Sequence, residues 1–484
     1  MLKSVWARFG KAKPAGESGA ASVVSTHGWL LLAIGLGTTL APLNSTMIAV
    51  ALPQIQQDLD VSVAQTSWLV TIYLVAMAVG QPIGGRLGDL CGRRTVYLAG
   101  LAWFGLASAA CAFAPNIGLL IFFRTQQGLA GALTFPNGAA IVREAIPAGQ
   151  RGSAYGIVGM ATASAAAIGP PLGGVLVFNF GWQAIFWANV PIIGIALALN
   201  NRLLARHRSV SQDRPPFDKV GALLFAVSLS ALIIIPAMLR SNRIALAALA
   251  GVVTLVVGVA FVLWELRSKF PVVDVRLFGR VEFAASCASI ALGNFAMYTT
   301  LLALPLYMDR LRGDNEQVIG LTLMAMSALA ALWGPIGGRI SDSRGRWLPA
   351  VFGAVTFFAG MCLLTGAVSS DQLWLIVIAL AIVGLGLGIQ GAPVQTAAVE
   401  AVPMAKTGSA AGMFSTSRYI GSVVGTTILA IVFANNPGPG DSGTFVALFA
   451  GLSMATFAAI FVNTRVAPRK PQVQVLDQRT PTQS

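Results

Sequence analysis

Runs of about 20 apolar residues follow one another along almost the whole chain, broken only by short polar turns, and a helix of that length is what crosses a bilayer. On that ruler, segments fall near 28–52, 66–88, 95–114, 116–141, 152–178, 182–203, 218–239, 243–266, 282–308, 317–340, 348–368, 372–398, 408–434 and 443–463, fourteen in all. The pattern predicts an all-α polytopic membrane protein. Composition agrees: 56% of the 484 residues are hydrophobic and 10% charged, against about 25% charged in soluble domains. The first run is too long for a signal-peptide core and has no small-residue cleavage site, so it is expected to stay as a membrane segment.

A net charge of +14 raises the question of a nucleic-acid partner, but such binding needs a basic face on a soluble module. Here the cations are scattered between apolar runs and act as topology signals, because Lys and Arg are retained on the cytoplasmic side. With the N-terminus inside, all but six of the 32 Lys and Arg residues fall inside. Four of those six, Arg240, Arg243, Arg310 and Arg312, fall outside, and Arg124 and Arg418 lie within segments. Both termini are therefore expected in the cytoplasm and the protein in the cell membrane. The four cysteines, Cys91, Cys111, Cys287 and Cys362, have neither metal nor disulfide spacing. The two histidines, His27 and His207, flank segments, which argues against histidine catalysis or metal ligation. No cofactor, metal or enzymatic activity is expected.

A duplication underlies the apolar pattern. Pro82-Ile83-Gly84-Gly85-Arg86 returns residue for residue as Pro335-Ile336-Gly337-Gly338-Arg339, and GGRLGDLCGRR (Gly84 to Arg94) is echoed by GGRISDSRGRW (Gly337 to Trp347). Each copy ends one apolar segment and begins the next, so it reads as a tight cationic turn whose glycines let backbones approach closely. Ala51-Leu52-Pro53 matches Ala303-Leu304-Pro305, Glu144-Ala145-Ile146-Pro147 matches Glu400-Ala401-Val402-Pro403, and Gly152-Ser153-Ala154 matches Gly408-Ser409-Ala410. The first six and last six segments are thus expected to be homologous halves. The boundaries read as a tail (1–27), an N-terminal six-helix bundle (28–205), a linker with an inserted helical hairpin (206–281), a C-terminal six-helix bundle (282–465) and a second tail (466–484). The hairpin has no counterpart in the repeat and is expected at the periphery, against lipid.

Two parallel six-segment halves, each with this turn between its second and third segments, resemble the major facilitator superfamily, and fourteen segments narrow the likeness to its drug:proton antiporters. Gly85-x-Leu87-x-Asp89-x-x-Gly92-Arg93-Arg94 is similar to the family's first signature and Arg124-x-x-Gln127-Gly128 to its second. Gly169-Pro170-Pro171-Leu172-Gly173-Gly174 is similar to the antiporter signature, with Ala165 where a glycine is usual. Trp182 to Pro191, WQAIFWANVP, is close to the family's sixth-segment opening. In the first segment the family usually has an acid where this chain has Asn44, and Ala49 replaces its asparagine.

The resemblance implies a secondary active transporter that exports small amphipathic, drug-like compounds by proton-coupled alternating access, working as a monomer in the bilayer. No ATP-binding loop offers another energy source. The alternative is a transporter of an anionic or zwitterionic metabolite, favoured by Arg124 and Arg418 and by the missing acid. A membrane enzyme or receptor lacks any Ser/His or His/Asp constellation and any sizeable soluble domain. A cytoplasmic gate is expected from Gly85, Asp89, Gly92, Arg93, Arg94 and Glu144, with Asp89 and Glu144 sharing Arg93 or Arg94. Gly338, Asp342, Gly345, Arg346 and Glu400 form its mirror set. Asn44, Arg124, Gln127 and Arg418 are expected to serve substrate binding or coupling, with both arginines facing a central cavity. Gly169, Pro170, Gly173 and Gly174 are expected to pack helices, and Asn137, Gln126, Asn294, Tyr298, Gln390 and Gln395 either bind substrate or bond between helices.

Overall fold

Fifteen helices carry the described regular structure: α1 (Ser18–Asp58), α2 (Val63–Cys91), α3 (Arg93–Ala112), α4 (Ile117–Ala145), α5 (Arg151–Phe180), α6 (Ala184–Trp187), α7 (Asn189–Leu203), α8 (Lys219–Arg240), α9 (Ile244–Arg267), α10 (Val281–Tyr307), α11 (Glu316–Arg344), α12 (Trp347–Ser370), α13 (Leu373–Glu400), α14 (Thr407–Ala434) and α15 (Ser442–Asn463), with single 3-10 or π turns between some of them. The computed structural model describes residues 18–61, 63–204, 217–240, 243–314, 316–434 and 442–466. Most of both expected tails, the start of the linker with His207, and the side chains of Ala49, Pro53, Pro170, Pro171, Arg240 and Arg310 lie outside the described residues.

Among the described residues, ten helices are long and apolar enough to cross a membrane, eleven if α5, bent by 41° between Gly169 and Leu172, counts as one span. The bend falls where Pro170 and Pro171 remove helical N–H donors. The expected segment 116–141 falls short of that test because α4 carries Arg124, Thr125, Gln126 and Gln127 in sequence within its apolar stretch. The first helix runs past its expected limits at both ends, to Ser18 and Asp58, since polar residues prolong a helix beyond its apolar core. The expected segment 182–203 is one of the ten, Ala184–Leu203, built of α6 and α7 with a one-residue break in the helical pattern at Ala188.

Local chemistry sets several boundaries. Asn116 caps α4 by accepting the Leu119 N–H at 2.9 Å, and Pro147 follows the end of that helix at Ala145. Gly92 (φ 94°) and Gly345 (φ 84°) take the left-handed turns between α2 and α3 and between α11 and α12, a conformation a Cβ opposes.

The duplication is visible in packing. Helix α2 lies on α4 with Gly84 against the Ala132 carbonyl, and α11 lies on α13 with Gly337 against the Ile389 carbonyl. Between halves, α2 packs on α14 and α5 on α11. The buried clusters are polarised. At the end that carries the duplicated turns, Ala392, Val399 and Ala411 join a cluster of the first half, and Val75, Ala78 and Val79 join one of the second. At the opposite end, one cluster around Met47, Trp182 and Phe186 draws on the first half only, and another around Tyr307, Leu364 and Phe445 on the second only. Among the described residues the halves share buried clusters at one end and none at the other.

The hairpin α8–α9 sits beside the joint. Helix α8 touches α2 and α14, while α9 exposes Leu249, Val252, Leu255 and Val256, a lipid-type surface. The linker after it is tied to the second half: Lys406 Nζ meets Asp274 at 2.6 Å, and Arg280 donates to the Ala401 carbonyl at 2.5 Å.

Candidate functional site

The joint between the halves is made twice, by matching parts. Asp89, in the last turn of α2, accepts the Gly408 N–H on Oδ1 at 3.0 Å, and the Ser409 N–H and hydroxyl on Oδ2, each at 3.0 Å. Asp342, in the last turn of α11, accepts the Gly152 N–H on Oδ1 at 2.8 Å, and the Ser153 N–H and hydroxyl on Oδ2, each at 2.7 Å. Each carboxylate therefore sits on the N-terminus of the other half's helix, α14 or α5, where unpaired N–H groups and the helix dipole favour negative charge. Such contacts need backbone against backbone. A Cβ on Gly85 would strike the Gly408 carbonyl, and one on Gly338 the Gly152 carbonyl. One and two turns further along, Gly412 lies against Gln81 and Pro82, and Thr416 donates to the Ala78 carbonyl at 2.9 Å.

Arginines close the rim around these contacts. Arg93 holds Asp89 at 3.2 Å and Glu144 at 2.8 Å, and reaches the other half through the Met404 carbonyl at 2.6 Å. Arg346 pairs with Glu400, which also takes Arg151 from the first half at 3.0 Å. Burial is the main cause pushing the Arg346 pKa below its ordinary value, and Glu282 and Asp342 oppose that shift. The two rims are not identical. Thr407 stands where the repeat places Arg151, and Arg143 crosses over to it, donating to its hydroxyl at 2.6 Å and to the Val402 carbonyl at 2.9 Å.

Arg94 does not join the rim as expected. It bonds Asn201 at 2.6 Å within the first half, since successive helical residues point about 100° apart. Asp342 lies near Arg346 but spends its oxygens on Gly152 and Ser153, so the mirror set matches in residue type more closely than in bonding. Arg143, Thr407 and the Gly-Ser pairs were missed as contacts. The available signal was the repeated Gly-Ser-Ala itself, which says nothing about a partner 319 residues away.

The two mid-helix arginines have different surroundings. Arg124 is 0% exposed and enclosed by the first half: Nη1 donates to Asn44 Oδ1 and, at 2.6 Å, to Gln127 Oε1, and Nε donates to the Leu69 carbonyl at 3.3 Å. The Tyr73 ring lies 4.3 Å from its Cζ, and Gln127 in turn donates to Ser108 at 2.6 Å. The expectation that Arg124 faces a central cavity is corrected, because acceptors inside the bundle take its Nε and Nη1 there. Its Nη2 and Asn44 Nδ2 have no partner among the described residues. Arg418 instead lies at the junction of the halves, with Cζ 5.1 Å from the Phe135 ring of α4 and 5.9 Å from that of Phe414. No carboxylate meets either arginine among the described residues.

Gly169 and Gly173 hold α5 on α1, against the Leu43 and Met47 carbonyls, whereas Gly174 has only an ordinary 3.9 Å contact with Val50. Asn137 bonds between helices, donating to the Gly84 carbonyl at 2.9 Å. Glu265, near the end of α9, is fully buried and accepts the Val273 N–H at 3.3 Å. A single acid in the last turn of an apolar run was its only sequence signal.

This geometry has a family to which it corresponds. A model described as Major Facilitator Superfamily matches residues 34–426. The chain belongs to that superfamily. It is 33% identical over 437 residues, 90% of this chain and 96% of the relative, to the uncharacterized MFS-type transporter YvkA of Bacillus subtilis. It is 33% identical over 409 residues, 84% of this chain and 75% of the relative, to multidrug resistance protein Stp of Mycobacterium tuberculosis. The crystal structure of the human organic anion transporter MFSD10 superposes with a TM-score of 0.66, covering 90% of this chain and 99% of that one at 16% identity, which bears on fold alone. As a superfamily member, the chain is a multi-pass membrane transporter, and the twin junctions and buried arginines are the sites at which its mechanism is to be sought.

Proposed function

We propose that this protein is a secondary active exporter of small amphipathic compounds, driven by the proton gradient and working by alternating access through fourteen membrane-crossing helices. In this reading the joined end is the cytoplasmic gate, both termini lie on that side, and the protein acts as a monomer in the cell membrane. The observation that carries it is the pair of carboxylates, Asp89 and Asp342, each seated on the other half's helix N-terminus, at the end where the halves share their clusters. Rocking the halves breaks both seats at once, so the gate has two discrete arrangements rather than a continuum. The relative named for multidrug resistance supports export of drug-like compounds. The proton gradient supplies the energy, about 2.3 kcal/mol per charge for each 100 mV. In everted vesicles, uptake of an amphipathic dye is expected to need an imposed pH gradient and to stop when that gradient is collapsed. Uptake indifferent to the gradient would remove proton coupling from the account.

The alternative, an anionic or zwitterionic substrate, is favoured by Arg124 and Arg418, which meet no carboxylate among the described residues. A charge buried without a counter-charge repels cations across a low-dielectric interior. Asn44→Asp places an acid on Arg124, whose Nη1 already donates to Asn44. The variant is expected to export organic cations about tenfold better, the equivalent of about 1.4 kcal/mol of relieved repulsion, with a steeper dependence on external pH. Equal export of dications by the native protein would refute the charge argument and move the proton to Asp89 or Glu144.

A further inference from the structure

Arg124 and Arg418 carry the same charge at similar depth, and only one of them is available. Arg124 is sealed in the first half, with three acceptors and a tyrosine face around it. Arg418 is half-buried, and among the described residues it meets no side-chain acceptor and its Nε has no partner. Its company is aromatic: Phe135 from the first half, Phe414 from its own helix, and Tyr298 and Tyr419 within electrostatic reach.

We infer that Arg418 and Phe135 form a substrate subsite spanning the two halves, and that it takes a planar aromatic monoanion, a carboxylate or sulfonate on a flat ring system. The inference rests on the transporter reading and names its substrate class. A guanidinium over a ring face is held only by the ring's quadrupole. An oxyanion offers the same guanidinium two parallel charge-assisted hydrogen bonds in a matching fork. In a site poor in water that exchange favours the anion, because charge pairs strengthen as the local dielectric falls. The displaced aromatic faces then stack on the ligand's ring system at centroid separations suited to offset or edge contact. Since Phe135 and Arg418 belong to opposite halves, a ligand between them is released when the halves part.

The test is equilibrium binding to the full-length protein in lipid nanodiscs, with no gradient, of three probes that share one ring system: naphthalenesulfonate, the neutral naphthalenesulfonamide and naphthyltrimethylammonium. The sulfonate is expected to bind about tenfold or more tightly than the sulfonamide, and the ammonium most weakly. Arg418→Gln should abolish the preference while leaving sulfonamide binding within about twofold, which also shows that the variant is folded. Arg418→Lys should retain part of it, as a point charge without the fork. Phe135→Leu should weaken all three probes alike. A preference for the sulfonate that survives Arg418→Gln, tighter binding of the ammonium, or no binding of any probe would each overturn the inference. Failure of gradient-driven dye transport in vesicles, with Arg418-dependent binding intact, would instead count against the exporter reading.

Discussion

An Asp89→Asn variant is expected to transport at about a tenth of the wild-type rate or less while remaining folded. The carboxylate accepts three hydrogen bonds from Gly408 and Ser409 and one from Arg93, and its side chain is only 2% exposed. Asparagine keeps the shape but not the charge, and its amide turns a donor toward a site where the backbone N–H groups and Arg93 can only donate. One N–H at the start of α14 is then left unpaired, which costs about 1–3 kcal/mol. A shift of about 2 kcal/mol in favour of the open gate changes the ratio of states about thirtyfold. Because the contact joins halves rather than building either of them, the cost falls on the closed state and not on the fold. Normal transport by a well-expressed Asp89→Asn protein would sink the gate assignment.

Gly338→Ala is expected to be more severe, with transport lost about a hundredfold or more. The new methyl group would strike the Gly152 carbonyl and lie 3.0 Å from the Ser153 nitrogen. These are backbone atoms at a helix start and cannot rotate away. To make room, α5 must retreat from α11, and in retreating it withdraws the two N–H groups that hold Asp342. The same change at Gly391, which has nothing within 4 Å of its would-be Cβ, is expected to leave transport unchanged, because only helix propensity is altered there. Comparing the two variants in one dye-efflux assay separates a steric block from a general effect of replacing glycine. Efflux by Gly338→Ala at the Gly391→Ala rate would show that the close approach is not required.

Much of the architecture was legible because membrane crossing demands long apolar runs, and because the duplicated PIGGR turns show the halves to be related before any coordinates are known. What the sequence lacks is the partner across the joint. Asp89 and Gly408 are far apart in the chain, and the turn motif around Asp89 is complete without reference to α14. Arg124 stands eight residues beyond Asn116 and Arg418 ten beyond Gly408, comparable depths in their segments, but depth is only one coordinate. Which face each presents depends on helix rotation, and that is set by neighbours such as Tyr73 and Asn44 for one and Phe135 for the other. The asymmetry of the rims, Arg151 with Glu400 against Arg143 with Thr407, was in the sequence as a Thr at the repeat position of an Arg. Its meaning required knowing that both positions face the opposite half.

The central claim is that the paired carboxylates hold one end of the molecule shut and that the two ends open in opposition. Pulsed electron-spin distance measurements test it directly, with one label pair at Gly149 and Ser343 beside the gate and another at Asn179 and Leu321 at the far end, all four positions exposed and each pair bridging the halves. In the wild-type protein the gate pair is expected to give a single short distance. In Asp89→Asn/Asp342→Asn a second, longer gate distance should appear together with a shorter far-end distance, in matching proportions. A gate pair that lengthens without any change at the far end, or distances unaltered in the double variant, would contradict the account.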